Sequence, residues 1–213
     1  MFESLRSLAR PVLGPPRRRV RHLRALRSSN VGKWSQWYKG VDKPQAYDDT
    51  ESYAVAADFL NGCSLVEDWG CGKGWMRTLI ADDRYRGVDG SVTPFTDVVA
   101  DLVKYRSSVP GVFMRHVLEH NYQWEKILDN TLASFSERMV LVTFTPFAET
   151  AHEIAFNDSI GVPDLSFRLS DITDRFPPDV EWRMETLVTK TQYNTESIFF
   201  LTRHQPGNLA AKK

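Results

Sequence analysis

Val66-Glu67-Asp68-Trp69-Gly70-Cys71-Gly72-Lys73-Gly74, followed by Trp75-Met76-Arg77-Thr78-Leu79-Ile80, decides how this chain is read. A short apolar strand begins at Leu65-Val66 and carries an acidic residue, Asp68, near its end. Three glycines at alternate positions then interrupt the chain, and the run from Trp75 predicts a helix. Glycine has no Cβ, so such a turn reaches positive φ and lets a ligand lie against bare backbone N–H groups. Those groups, with the helix N-terminus expected after them, favour a polar or anionic ligand end. Strand, glycine turn and helix together form the first unit of an α/β domain that takes a nucleotide-like ligand.

Two glycine motifs compete for this stretch. The dinucleotide fingerprint requires Gly-x-Gly-x-x-Gly or Ala, its third small residue allowing close helix–sheet packing. Counted from Gly70, that position is Trp75, which is too large. The glycines fall instead at Gly70, Gly72 and Gly74, behind Asp68. This arrangement resembles motif I of the class I S-adenosylmethionine-dependent methyltransferases, in which an acidic and an apolar residue precede Gly-x-Gly-x-Gly. The resemblance implies S-adenosylmethionine as cofactor, with Asp68, Gly70, Gly72 and Gly74 beside it and the glycine turn passing its methionine part close to the backbone. A glycine-rich surface turn is the competing reading of the motif taken alone.

The segments downstream extend the likeness. Arg84-Tyr85-Arg86-Gly87-Val88-Asp89 predicts a second strand, and Asp89 lies 19 residues after Gly70. A carboxylate about 20 residues on is placed to accept ribose hydroxyls, being acceptor-only and able to take both members of a diol. Asp97-Val98-Val99-Ala100-Asp101-Leu102 resembles the family's third motif, which implies that Asp101 meets the adenine amino group. Val112 to His120 resembles strand 4 and the helix entry after it. Met139–Phe144 predicts a buried fifth strand, and 181–190 with 196–203 predict a closing hairpin around Gln192-Tyr193-Asn194-Thr195. The resemblance covers about residues 48–203 and implies an α/β fold, a mainly parallel seven-stranded doubly wound sheet with an antiparallel last strand. Two positions depart from the pattern: Glu67 stands where an apolar residue is usual and Trp69 where a smaller aliphatic is. Arg86 or open solvent could each satisfy Glu67.

At 213 residues the chain suffices for one sizeable domain, and its 42% hydrophobic and 12% aromatic content is globular. Residues 1–30 hold eight Arg and one Glu, so a basic arm of +7 precedes a body of −7. An acidic body argues against a broad nucleic-acid face on it. The arm is weakly amphipathic and reads as a contact for an anionic membrane surface, as a solvated segment, or as a transit peptide. Residues 31–47 form an aromatic lead-in with Trp34, Trp37 and Tyr38, readable as a lid or as core packing; 48–205 is the catalytic domain and 206–213 a tail. Asp48-Asp49-Thr50 suggests caps for a helix with Tyr53, Ala56, Ala57 and Leu60 on its apolar face. Trp124, Ile127, Leu128, Leu132 and Phe135 mark a further helix, and 145–164, with no periodicity, predicts a long loop. Cys63 and Cys71 flank the first strand, which holds them apart and argues against a disulfide. No apolar run reaches a membrane span. A cytoplasmic protein is expected, peripheral to the inner face of a membrane if the arm binds there.

Methyl transfer from a sulfonium needs an aligned nucleophile and, for a hydroxyl acceptor, a proton acceptor. The titratable residues expected at the site are His116, Glu119, His120, His152 and Glu153, with His116, His120 or His152 as base. His116-x-x-Glu119-His120 with His152 also resembles the Glu-x-x-Glu-His metal site of some O-methyltransferases, with His in place of the first Glu. A divalent metal is thereby an alternative, and the expected set has none. The Asn/Asp-Pro-Pro-aromatic tetrapeptide of exocyclic-amino DNA and protein-glutamine methyltransferases is absent after strand 4, where Arg115-His116-Val117-Leu118 stands, which argues against amino-group methylation of a base or glutamine. The expected reaction is therefore O-methylation of a small molecule or glycan. The alternatives are ribose 2′-O-methylation of RNA through the arginine arm and a non-catalytic binding module of the same fold.

Overall fold

The computed structural model describes residues 29–204. The arginine-rich residues before them lie outside the described residues, and with them the membrane-surface and transit-peptide readings. Among the described residues no helix is long and apolar enough to cross a membrane.

The strands are β1 (Val66–Trp69), β2 (Tyr85–Asp89), β3 (Val98–Val99), β4 (Val109–Arg115), β5 (Phe135–Thr143), β6 (His152–Asn157), β7 (Val162–Ser166), β8 (Val180–Val188) and β9 (Thr195–Arg203). The α-helices are α1 (Glu51–Phe59), α2 (Trp124–Leu132) and α3 (Leu169–Thr173). Seven strands form one sheet in the order β3-β2-β1-β4-β5-β9-β8. Pairing is parallel from β3 through β5, and β9 runs antiparallel to both neighbours. The expected sheet is therefore the observed one.

Side chains alternate across the pleat. On β5, Val140 and Val142 join Tyr53, Ala56 and Leu60 of the α1 region on one face. Met139 and Leu141 join Ile127, Leu128 and Leu132 of α2 on the other. Burial on both faces is why the central strands read as continuous apolar runs. Each large side chain so buried contributes roughly 1.5–3 kcal/mol. The helices thus hold both faces of the sheet and leave the carboxyl ends of its strands for a site.

Four local expectations are corrected. No α-helix follows the glycine turn: Trp75–Thr78 is a single tight helical turn. Thr78 Oγ1 donates to the Trp75 carbonyl at 2.8 Å, diverting a backbone acceptor. Asp82 and Asp83 follow where a helix C-terminus would repel negative charge. The helix-dipole contribution expected at the turn is accordingly missing. The stretch 145–164 is no loop, since it holds β6 and the start of β7, an antiparallel hairpin outside the main sheet. Phe135 belongs to β5, not to the preceding helix. Thr50 makes no side-chain cap to α1, and Asp49 instead accepts the Lys190 N–H at 2.6 Å.

Candidate functional site

A cavity of about 550 Å³ opens over the carboxyl ends of β2, β1, β4 and β5, a size suited to a small-molecule ligand. It straddles β1 where the strand order reverses, with β2 on one side and β4, reached from β3, on the other, the topological switch where open α/β sheets bind ligands. Asp68, Gly70, Asp89, Asp101, His116 and His120 all line it. Gly72, Gly74 and His152 do not. His152 is exposed at the start of β6, its Nδ1 2.8 Å from the Thr150 carbonyl. Glu153 accepts the Tyr122 hydroxyl.

The glycines are needed largely for packing against their own neighbours. A Cβ on Gly70, at φ +82°, would lie 2.4 Å from Val117 Cγ2. One on Gly74, at φ +71°, would lie 2.3 Å from the Phe95 ring. Positive φ and close approach together exclude a side chain at either position. Gly72 faces the hydroxyls of Tyr38 and Tyr47, each 3.0 Å from its would-be Cβ. Trp34, Trp37 and Tyr38 line the cavity from the lead-in, which is tied down by Gly32 N to the Gly90 carbonyl at 2.9 Å.

Asp68 and Asp89 close adjacent strands. Asp89 accepts the N–H groups of Gly72 (3.0 Å) and Ser91 (2.7 Å), and Asp68 accepts the Tyr85 hydroxyl (2.8 Å). Burial pushes Asp68 up to about 7, against the Tyr85 hydrogen bond, with the Asp89 charge adding to the rise. Burial likewise pushes Asp89 up to about 6, the Ser91 and Gly72 N–H groups holding it back. Glu67 points to the opposite face, where Trp69, Arg86, Tyr105 and Ser107 all donate to it. Arg86 is thus one of four partners, and an unusual acid in the strand is fully satisfied.

On the β4–β5 side, His116 and His120 flank Phe144, with ring centroids 4.6 and 5.4 Å from it. His116 has φ +55° and its Nε2 lies 2.7 Å from Glu196 Oε1. Glu196 also pairs with Arg115 at 2.5 Å. Burial and then the Arg115 charge pull His116 down to about 3, so it is neutral. Burial alone would lower His120 too, but its hydrogen bond to Asp164 and the Glu119 charge outweigh burial and raise it. Phe144 and Asp164 line the cavity, and Glu196 and Tyr193 bond residues that do; none of the four is singled out by spacing along the chain, and only the acid beside Pro163 in a stretch without periodicity hints at one of them.

Glu119 is fully buried and accepts the Phe144 N–H at 2.6 Å. Burial pushes it up to about 7. The folded protein therefore holds this proton through a range in which the unfolded chain has released it, and stability falls as pH rises from about 4.5 to about 7. Glu119→Gln mimics the protonated acid. It is expected to match the parent near pH 4.5 and exceed it at pH 8 by on the order of 3 kcal/mol. Urea melts at the two pH values check this, and equal stabilities at pH 8 contradict it.

Among the described residues no three His, Cys, Asp or Glu side chains converge as a metal would require. His116 is engaged by Glu196, Glu119 by Phe144, and His152 lies apart, so the metal-motif reading finds no assembled ligand set here.

No protein-family model and no curated protein matches the chain. Solved structures do. The Burkholderia thailandensis 1,6-didemethyltoxoflavin-N1-methyltransferase, with 1,6-didemethyltoxoflavin and S-adenosylhomocysteine bound, superposes at TM-score 0.56 and 14% identity over 91% of this chain and 92% of its own. The magnesium protoporphyrin IX methyltransferase of Synechocystis PCC 6803, with S-adenosylmethionine bound, gives 0.52 and 15% over 86% and 97%. The N-terminal domain of EvdMO1, solved in the presence of S-adenosylhomocysteine and D-fucose, gives 0.51 and 9% over 90% and 98%. Strand order, the single reversed strand and these superpositions together establish that the chain has the class I methyltransferase fold.

Proposed function

We propose that this protein is an S-adenosylmethionine-dependent methyltransferase acting on a hydroxyl oxygen of a small, uncharged acceptor. The observation that carries the reading is the convergence of Asp68 and Asp89, closing β1 and β2, in one cavity with His120 beyond β4. The donor set fits the cofactor. Asp89 keeps acceptor capacity beyond its two N–H donors for a vicinal diol, and Asp68 offers negative charge to a cationic ligand. Asp101, after β3, lines the same cavity and would face the adenine. When bound, S-adenosylmethionine supplies an electrophilic methyl group whose carbon–sulfur electron pair stays on sulfur.

The chain's own residues do the rest. Trp34 and Phe144 bracket His120 and give a flat acceptor ring an apolar surface. His120 takes the hydroxyl proton. Arg115 is already paired with Glu196, and Asp164 adds negative charge, so the acceptor side favours neutral molecules over phosphates or carboxylates. Two of the three superposed structures pair S-adenosylhomocysteine with a small molecule, 1,6-didemethyltoxoflavin bound in one and D-fucose present in the other, which is consistent with a small acceptor.

The test is titration calorimetry with S-adenosylmethionine and, separately, with NAD. Binding is expected for the first and not the second. Because burial pushes Asp68 up to about 7 and Asp89 up to about 6, a cationic ligand that favours their ionised forms releases protons on binding. Affinity is thus expected to weaken as pH falls below about 7, and the apparent enthalpy at pH 6.5 to differ between phosphate and Tris buffers. Asp89→Asn is expected to weaken binding at least about tenfold by turning one acceptor into a donor. Undiminished affinity in that variant would move the ribose site elsewhere.

A further inference from the structure

The hairpin formed by β6 and β7 lies outside the seven-stranded sheet, yet its residues line the cavity beside His120. His120 ends the short helical turn Leu118–His120 that follows β4. Its backbone carbonyl accepts Asn30 Nδ2 at 2.7 Å, and its ring sits 5.1 Å from the Trp34 ring and 5.4 Å from Phe144. The imidazole is therefore held in place before its nitrogens are considered.

Both groups that meet Nδ1 are acceptors. The Pro163 carbonyl lies at 3.0 Å and Asp164 Oδ1 at 3.2 Å, both from β7. Two acceptors on one nitrogen require that nitrogen to carry the hydrogen, so the neutral ring has its lone pair on Nε2. Asp164 is itself fixed: it is buried, and Tyr193 from the β8–β9 connection donates to its Oδ2 at 2.9 Å. Gln192 Nε2 in turn donates to the Tyr193 hydroxyl at 3.0 Å. The β6–β7 register shifts between Glu153 and Ala155, and Ala155 is the partner of Asp164. A bulge at that point re-aims the side chains around it.

We propose that Asp164 is the positioning residue of this site: the inserted hairpin brings a carboxylate to Nδ1 of His120, fixes the ring's tautomer, and leaves Nε2 as the proton acceptor. The hydroxyl O–H bond breaks, its proton goes to Nε2, and its electron pair becomes available to the incoming carbon. The imidazolium that results is flanked by the Asp164 carboxylate, which does not itself take the proton. Glu119 also faces His120 and favours the charged ring, whereas His116, neutral beside Arg115, opposes it only weakly. This rests on His120 being the base in the reading above, but the pair can be tested without any acceptor.

The experiment is nitrogen-15 and carbon-13 NMR of the histidine rings in the full-length protein, with His120→Gln used to assign the His120 signals. In the parent protein the neutral ring is expected as the Nδ1–H tautomer. In Asp164→Asn the ring is expected to keep that tautomer while its pKa drops by about 1–3 units, the range for losing a neighbouring opposite charge. A merely structural role for Asp164 would leave the pKa where it was. An Nε2–H tautomer in the parent overturns the proposal even if the Asn variant does not fold, and so does an unshifted pKa in a folded variant. Calorimetry on the same sample separates the two readings. Cofactor binding with an Nε2–H ring removes the hairpin from the chemistry, and an intact pair without cofactor binding removes methyl transfer.

Discussion

Glu196→Ala is expected to lower the unfolding free energy by about 3–5 kcal/mol, the scale for breaking one side of a buried ion pair. Glu196 is fully buried and accepts from Arg115 and His116 together. Arg115 ties the end of β4 to the single stretch 47–53 that leads into α1: Nε donates to Ser52 Oγ, Nη1 to the Tyr53 hydroxyl and Nη2 to the Tyr47 carbonyl, each at 3.1 Å. Without Glu196 those acceptors remain, but a guanidinium with a side-chain exposure of 3% has lost its countercharge. Most of the loss is thus the burial of an unpaired charge, not a missing attraction. It follows that Arg115→Met with Glu196→Leu should be less destabilised than Glu196→Ala alone, since no charge is left behind. Glu196→Gln, which keeps an acceptor, should fall between. Burial alone would raise the Glu196 pKa, but the His116 hydrogen bond and the Arg115 charge bring it below its ordinary value. Its contribution is therefore present above the usual carboxylate range and lost as pH falls through the folded value, a limb that the Ala variant should lack. Urea unfolding at constant m-value measures all of this. A loss under about 1 kcal/mol, or simple additivity in the double variant, would show that Arg115 is solvated in the parent.

The contrast between Asp89 and Glu196 shows which parts of the site are legible in a sequence. Asp68, Gly70 and Asp89 are set by local chain geometry: one strand, one turn, and a second strand at a fixed distance. Spacing along the chain therefore reports them. Asp164 reaches the cavity through the folding back of β7, and Glu196 reaches the cavity-lining Arg115 and His116 through the closing of β9 against β5; nothing in their immediate neighbours encodes that. The hairpin is hidden in the sequence for a physical reason as well. β7 is buried along its whole length and contains Pro163, so neither alternation nor strand propensity marks it. The Asn157 side chain, accepting from the Ser159 and Ile160 N–H groups, and Gly161 at φ +79° form its turn. Those residue types were visible, but the strands around them were not. After Gly74 the difference runs in the opposite direction. The composition there suits a helix, and a single threonine hydroxyl with two following aspartates sufficed to stop it after one turn.

Glycine spacing identified the fold although two of the three glycines lie outside the cavity. The family pattern and the ligand contact are thus separate matters. At Gly74 the constraint is the Phe95 ring and at Gly70 it is Val117, so motif I here is as much a packing motif as a binding one. The carboxylates carry more of the functional inference because burial has already raised their proton affinity, which is unfavourable unless a ligand of opposite charge completes the site.

His120→Gln is expected to lower kcat by roughly 10²–10⁴-fold, the usual span for loss of a positioned base, while leaving cofactor affinity unchanged. His116→Asn should lose less than about tenfold, although both rings contact Phe144 and both line the cavity. The difference follows from what each ring must become. A base has to end the step as an imidazolium. His116, buried beside Arg115 and held near 3, would add a second positive charge to a site where one is already neutralised. His120 gains its charge next to Asp164 and Glu119, which favour it. Asn at position 116 also tolerates the left-handed backbone that His116 adopts, so that variant tests chemistry and not folding. In the parent, at saturating S-adenosylmethionine, kcat/KM for the acceptor should rise with pH through the His120 titration and then level, and the His120→Gln profile should lack that limb. The assay uses S-adenosylmethionine with a panel of uncharged hydroxylic acceptors, following S-adenosylhomocysteine release. A His116 variant that loses more than the His120 variant would place the base on the other side of Phe144, against Glu196 and Arg115. The closing strand would then supply the chemistry, and the inserted hairpin only a wall.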